Sequence, residues 1–181
     1  MRATARRALL AALATGVAAA CLAPGALAQR APADPSMQPY RADARPREDL
    51  AAAKKRAAAS GKLVMVTFGA NWCADCLALH RNLEDPATRE YAHKTFEFVN
   101  VDVGDDGKRN LDVAAELGVS SKRGIPVAVF LQPDGQPIGN TNRGELEPSR
   151  KYSSRQILAF LREVAERRVI AAPDGRTLKP E

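Results

Sequence analysis

Residues 63–68, reading Leu-Val-Met-Val-Thr-Phe, form an almost unbroken apolar run. The run is short, and it predicts a strand buried on both faces. Such a strand belongs inside a sheet with a layer packed on each side, and it constrains the fold more than any other segment. The chain leaves it through Gly69-Ala70-Asn71-Trp72 and enters Cys73-Ala74-Asp75-Cys76. The pattern then turns helical, with Leu77, Leu79, His80 and Leu83.

The remaining segments fill in the layers. Residues 47–60 are rich in Ala, Lys, Glu and Leu and stop at Gly61, the reading of a helix with a glycine end. Pro86 should kink or restart the helix that follows the cysteines. Residues 96–103 alternate with period two and predict a second strand. Asp105-Asp106-Gly107 predicts a turn, with no series of oxygen ligands behind it that would make a calcium site. Leu111, Val113, Ala114 and Leu117 mark a short helix closing at Gly118. Residues 127–131 and 137–139 predict two strands joined by the Pro133-Asp134-Gly135 turn. A last helix, capped by Ser153 or Ser154, carries the stripe Ile157, Leu158, Leu161 and Val164. Strands 63–68 and 96–102, joined by a helical crossover, should be parallel neighbours, and the last two strands antiparallel. The expected class is α/β, a mixed central sheet of about four to five strands with helices on both faces.

The N-terminus is of a different kind. Arg2, Arg6 and Arg7 precede an apolar stretch to Ala23, and Ala26-Leu27-Ala28 follows. A basic start, an apolar core and a small-x-small exit are the parts of a secretory signal peptide. The stretch is shorter than the roughly 20 residues a spanning helix needs. Cleavage after Ala28 is the expectation; lipid attachment at Cys21 and a twin-arginine signal fit the neighbouring residues more loosely. Residues 29–46 hold Pro32, Pro35, Pro39 and Pro46 among Ala, Asp and Arg and read as a flexible linker. The folded domain is expected over 47–170, with a loose tail over 171–181.

Export changes the charge and the cysteine count. The chain carries 27 basic and 21 acidic side chains. Loss of residues 1–28 takes three arginines and leaves a net charge of +3, too mild for a nucleic-acid binder. Of the three cysteines, Cys21 leaves with the signal. The remaining pair, three positions apart, cannot staple distant elements, so it serves chemistry or metal.

The chemistry follows from position. A thiolate, not a thiol, is the nucleophile. A cysteine at the start of a helix faces unpaired backbone N–H groups and the positive end of the helix dipole, which favour the ionised sulfur. Cys73 is therefore the expected attacking thiol. Cys76, one turn on, is the resolving thiol that attacks a mixed disulfide at Cys73.

Phe68-Gly69-Ala70-Asn71-Trp72-Cys73-Ala74-Asp75-Cys76 after a buried strand, together with Gly124-Ile125-Pro126 before another, resembles the thioredoxin family over about residues 47–168. The similarity is greatest to periplasmic thioredoxin-like proteins and to the C-terminal domain of the membrane thiol–disulfide interchange reductase. The resemblance implies a thioredoxin-like three-layer fold and a cis Pro126 lying against the cysteine pair. It also implies that the Ile125 backbone is offered to an extended substrate segment, and that Trp72 packs beside the active-site loop. Protein disulfides are the implied substrates and a membrane electron donor the implied partner. The implied location is the periplasm and the implied state a monomer; no cofactor and no metal are expected.

Two positions depart from the family pattern. A buried acid, which accepts the resolving thiol's proton, usually stands where this chain has Thr67; a lysine often stands where it has Leu77. His80, four residues after Cys76 and on the same helix face, is a candidate for proton transfer; otherwise it packs or faces solvent. Asp75 either disfavours the thiolates, pushing the pair toward a reductant, or is an ordinary first-turn helix acid. Lys122-Arg123 reads as a solvated loop and His93 as a surface residue. No histidine between the cysteines stabilises a thiolate, so a reductase or isomerase is expected rather than a strong oxidant. The alternatives from other classes are a metal-handling module, using Cys73, Cys76 and His80, and a partner-binding module whose cysteines stay oxidised.

Overall fold

The apolar run becomes the centre of the sheet. In the computed structural model, which describes residues 37–176, Leu63–Gly69 (β1) is buried at every position. The expectations placed on Cys21, on cleavage after Ala28 and on residues 29–36 of the linker lie outside the described residues. β1 pairs in parallel with Phe96–Asp102 (β2), from Leu63↔Phe96 to Gly69↔Asp102. On its other edge it pairs antiparallel with Val127–Leu131 (β3), which in turn pairs antiparallel with Pro137–Asn140 (β4). The order is β2-β1-β3-β4, a mixed four-stranded sheet among the described residues. Bonded on both edges, β1 has no exposed backbone to solvate.

Helices cover both faces. Val64, Val66 and Phe68 point toward Pro46–Ser60 (α1) and Leu111–Glu116 (α4), meeting Ala53, Ala57 and Val113. Leu63 and Met65 point the other way, into a core shared with Ala74–Glu84 (α2), Pro86–Thr95 (α3) and Ser154–Arg162 (α5). Phe96, Phe130 and Phe160 link β2, β3 and α5 edge-to-face, with ring centroids 5.9 and 5.8 Å apart.

Local chemistry sets the boundaries. Gly61 ends α1 in the left-handed conformation (φ 70°), where glycine carries no Cβ penalty. Pro86 restarts the chain as α3, and the Asp85 side chain caps it by accepting the Ala87 N–H. Ser153 caps α5 in a reciprocal box with Gln156, a device worth about 1 kcal/mol. Beyond α5 the chain makes a π turn, Glu163–Arg167.

Three segments are more ordered than their composition suggests. Pro46, counted with the linker, is the first residue of α1, where its missing N–H costs nothing. Tyr40, in the middle of the proline-rich stretch, is buried. Its N–H donates to the Asn71 side chain (3.1 Å), and Asn71 donates back to the Tyr40 carbonyl (2.7 Å). At the other end Ala172 is buried, and Arg176 donates to the Glu145 carbonyl (3.2 Å). The connector 141–152 folds into a turn with one 3-10 segment, Ser149–Lys151, burying Glu145, Leu146 and Ser149.

Candidate active site

Cys73 and Cys76 meet at the junction of β1 and α2. Cys73 is the N-cap of α2, in extended backbone, and its Sγ accepts the Cys76 N–H at 3.1 Å. That N–H is one of the donors a helix start leaves without an intrahelical partner. The two cysteines are joined as a disulfide, their Cα atoms 5.2 Å apart. Cys73 is slightly exposed and Cys76 fully covered, so an incoming group reaches Cys73 first.

A wall rises on either side. The Ile125–Pro126 peptide is cis, Pro126 is buried, and the Ile125 carbonyl oxygen lies 3.5 Å from Cys73 Sγ. Tyr40 packs with both cysteines and Ile125 into one small apolar cluster. Burial pushes the Tyr40 phenol far above its ordinary range, so it stays neutral. Gly69 makes room for that ring: a Cβ there would stand 2.5–2.8 Å from Tyr40 ring and hydroxyl atoms. Trp72 stands at the mouth, 57% exposed, its indole N–H held by the Gly104 carbonyl at 3.0 Å.

The turn after β4 closes the third side. Asp75 accepts the Arg150 backbone N–H on one oxygen (2.9 Å) and the Arg150 Nε on the other (3.1 Å). The Glu147 side chain presses on Gly124, where a Cβ would stand 3.1 Å from it; Gly124 also holds φ 116°, so glycine is required twice over. Thus the Cys-x-x-Cys segment and the proline loop both touch residues 147–150.

The remaining candidates lie on the elements around the pair. His80 is half-buried on α2 and lines a pocket with Met37, Arg81, Glu84 and Asp85. Thr67 is buried, and its hydroxyl has no hydrogen-bond partner. Lys122 and Arg123 are exposed. His93, exposed, contacts Glu84 at 2.8 Å. No group of three or more His, Cys, Asp or Glu that could hold a metal ion is gathered among the described residues.

The comparisons with known proteins converge on one family. A thioredoxin-like family model matches residues 45–133. The solved disulphide isomerase from Xylella fastidiosa Temecula1 is 34% identical, with a TM-score of 0.67 over 71% of this chain and 97% of its own. The chain belongs to the thioredoxin family. Thioredoxin from Fasciola hepatica also matches at 25% identity over 64% of this chain and 90% of its own (TM-score 0.40). The thioredoxin from Thermus thermophilus does so at 25% identity over 55% and 80% (TM-score 0.39). Within this thioredoxin-like fold the disulfide-forming pair and the proline loop were legible from motif and spacing. Arg150, Glu147 and Gly104 were not, because they reach the site through contacts 23 to 75 residues apart that leave no local pattern. Tyr40 left one signal, a lone aromatic in a proline-rich stretch.

Proposed function

We propose that this chain is an exported thiol–disulfide oxidoreductase that exchanges disulfides with protein or small-thiol partners and acts as a reductase or isomerase. The observation that carries the reading is the sulfur of Cys73, at the head of α2, receiving the Cys76 N–H and facing the Ile125 carbonyl. In the reduced enzyme the same N–H would stabilise a Cys73 thiolate.

That thiolate attacks one sulfur of a substrate disulfide, forming a mixed disulfide as the other substrate sulfur leaves as thiolate. Cys76 then loses its proton and attacks Cys73 Sγ. The second substrate thiol departs, and the enzyme is left with the Cys73–Cys76 disulfide. Two electrons have passed to the substrate, and a dithiol donor must return them. In isomerisation the first-released substrate thiolate instead attacks the mixed disulfide elsewhere, and no net electrons move.

The Ile125 and Pro126 ledge would seat an extended substrate segment, and the exposed Trp72 ring would give it an apolar contact. The Xylella protein, a disulphide isomerase by name, supports the choice of reaction class. The N-terminal composition supports export to the periplasm; the reading further takes an upstream membrane dithiol donor and a monomeric working form.

Reduction of insulin disulfides by the purified, pre-reduced chain tests the reading. Wild type should reduce insulin, Cys73→Ser should be inactive, and Cys76→Ser should accumulate mixed disulfides. Activity that survives Cys73→Ser would overturn the mechanism. A measured potential near −120 mV, the oxidising end of the family range, would overturn the direction.

A further inference from the structure

Asp75 stands between the two cysteines in sequence, in the first turn of α2, and a carboxylate near a thiol opposes its ionisation, because like charges close together disfavour the second one. Its charge does not act alone. Arg150 meets it with both a backbone N–H and a side-chain Nε, at 2.9 and 3.1 Å, and the Asp75 side chain is only 18% exposed.

Arg150 is held where it is. The turn that carries it is pinned to α2 by Asn82, whose side-chain amide donates to the Tyr152 carbonyl (3.1 Å) and reaches the Ser149 carbonyl (3.5 Å). Asp75 and Asn82 lie seven residues apart, on the same face of α2. The guanidinium is thus presented to Asp75 by a turn fixed at two points along one helix.

The other charges facing this end of α2 are few. Glu147 and Lys151 on the turn and Arg176 from the chain's end line the same open hollow as Asp75 and Arg150. The neutral Tyr40 phenol and Ile125 pack with the two cysteines. Lys122 and Arg123 precede the proline loop.

We propose that Arg150 is a positioning residue of the redox site, which neutralises Asp75 and so sets how readily Cys73 ionises and how reducing the cysteine pair is. The proposal rests on the thiol–disulfide reading of Cys73 and Cys76, and adds a role to a residue far from them in sequence. Its sign is definite. Without Arg150 the Asp75 charge is uncompensated, the thiolate is less stable, and the reduced form loses stability relative to the disulfide. The pair then becomes more reducing. Without Asp75, the cation remains near the sulfur and the shift is the opposite.

The test compares wild type, Arg150→Ala, Arg150→Lys, Asp75→Asn and the Asp75→Asn/Arg150→Ala double variant, each as the folded full chain. The reduced proteins are alkylated with iodoacetamide across pH, with peptide mapping to follow Cys73, and each is equilibrated with glutathione redox buffers. Arg150→Ala should slow Cys73 alkylation at neutral pH about threefold and move its pH midpoint up; Asp75→Asn should speed it by a similar factor. The double variant should return close to wild type, and Arg150→Lys should keep the wild-type midpoint. The dithiol–disulfide equilibrium should shift toward the disulfide in Arg150→Ala and toward the dithiol in Asp75→Asn.

A merely structural clamp behaves differently: both single variants would loosen the same turn and move the midpoint in the same direction. That result, or no shift in Arg150→Ala, overturns the proposal. Alkylation needs neither insulin nor a donor, so the charge pairing is judged on the midpoints. The oxidoreductase reading is judged separately, on insulin reduction by wild type.

Discussion

At the scale of single residues, Thr67 is one of two positions that depart from the family pattern, and there the structure shows a cost. Its hydroxyl is buried on β1 without a partner, and an unsatisfied buried hydroxyl costs about 1–3 kcal/mol. Thr67 follows Leu63 and Met65 at period two, so it shares their face, toward the core that α2 covers. Cys76, Leu79 and Leu83 are the buried stripe of α2, so the hydroxyl lies on the sheet face that α2 covers. Replacing it by the isosteric Thr67→Val should stabilise the oxidised protein by about 1 kcal/mol. The measurement is urea unfolding with an unchanged m-value. A loss of stability would mean that the hydroxyl has a partner in solution after all.

At the scale of elements, the N-terminal segment behaves as part of the site. Tyr40 is tied to Asn71 by two hydrogen bonds and seated on the cysteines, and Gly69 at the end of β1 is bare to receive its ring. Gly69→Ala should therefore push Tyr40 out of its seat, at a cost of about 1–3 kcal/mol for the overpacked position. It should also raise the alkylation rate of Cys76 in a reduced Cys73→Ser background, where wild-type packing covers that sulfur. Unchanged protection of Cys76 would show that Tyr40 is not its cover. Here the limits of reading sequence become physical. β1, the Cys73 helix start and the Pro126 loop were legible because burial period, helix-start position and motif are local properties. The fold class followed from them, since one strand buried on both faces requires two helical layers. Asn71 holding Tyr40, and Asp75 holding Arg150, are pairings between polar residues far apart in the chain. Nothing in the local pattern around Arg150 separates it from the other surface arginines. Period two at 96–103 was only partly realised, because β2 is an edge strand whose Glu97 turns to Arg56 and Lys62 rather than to water.

At the scale of the whole molecule, two glutamates pull the stability profile in opposite directions as pH changes. Glu97 accepts from Arg56 (2.7 Å) and Lys62 (2.9 Å), and these partners hold its carboxyl below the usual carboxylate range. An acid whose folded value is depressed adds stability above its unfolded value and loses it as pH falls through the folded one. Glu145 is the reverse case. It is buried in the turn after β4, and desolvation pushes its carboxyl up despite the Arg143 N–H that it accepts at 3.1 Å. The folded state then binds the proton more tightly than the unfolded chain, so stability declines as pH rises from the unfolded value through the folded one. Glu145→Gln, which keeps the shape and an acceptor oxygen for Arg143, should thus be more stable than wild type at pH 7. Its advantage should shrink as pH falls toward the unfolded value of about 4.3 and below, where the wild-type carboxyl becomes protonated in both states. Glu97→Gln should be less stable than wild type at pH 7, and that deficit should also close toward low pH, from the other side. Urea unfolding of the three proteins from pH 7 down to about 3, with the Cys73–Cys76 disulfide intact, reads both slopes. A Glu145→Gln variant that is destabilised at pH 7 would show that the ionised carboxylate, through Arg143 and the neighbouring Arg176, holds the turn that carries Glu147 and Arg150 to the active site.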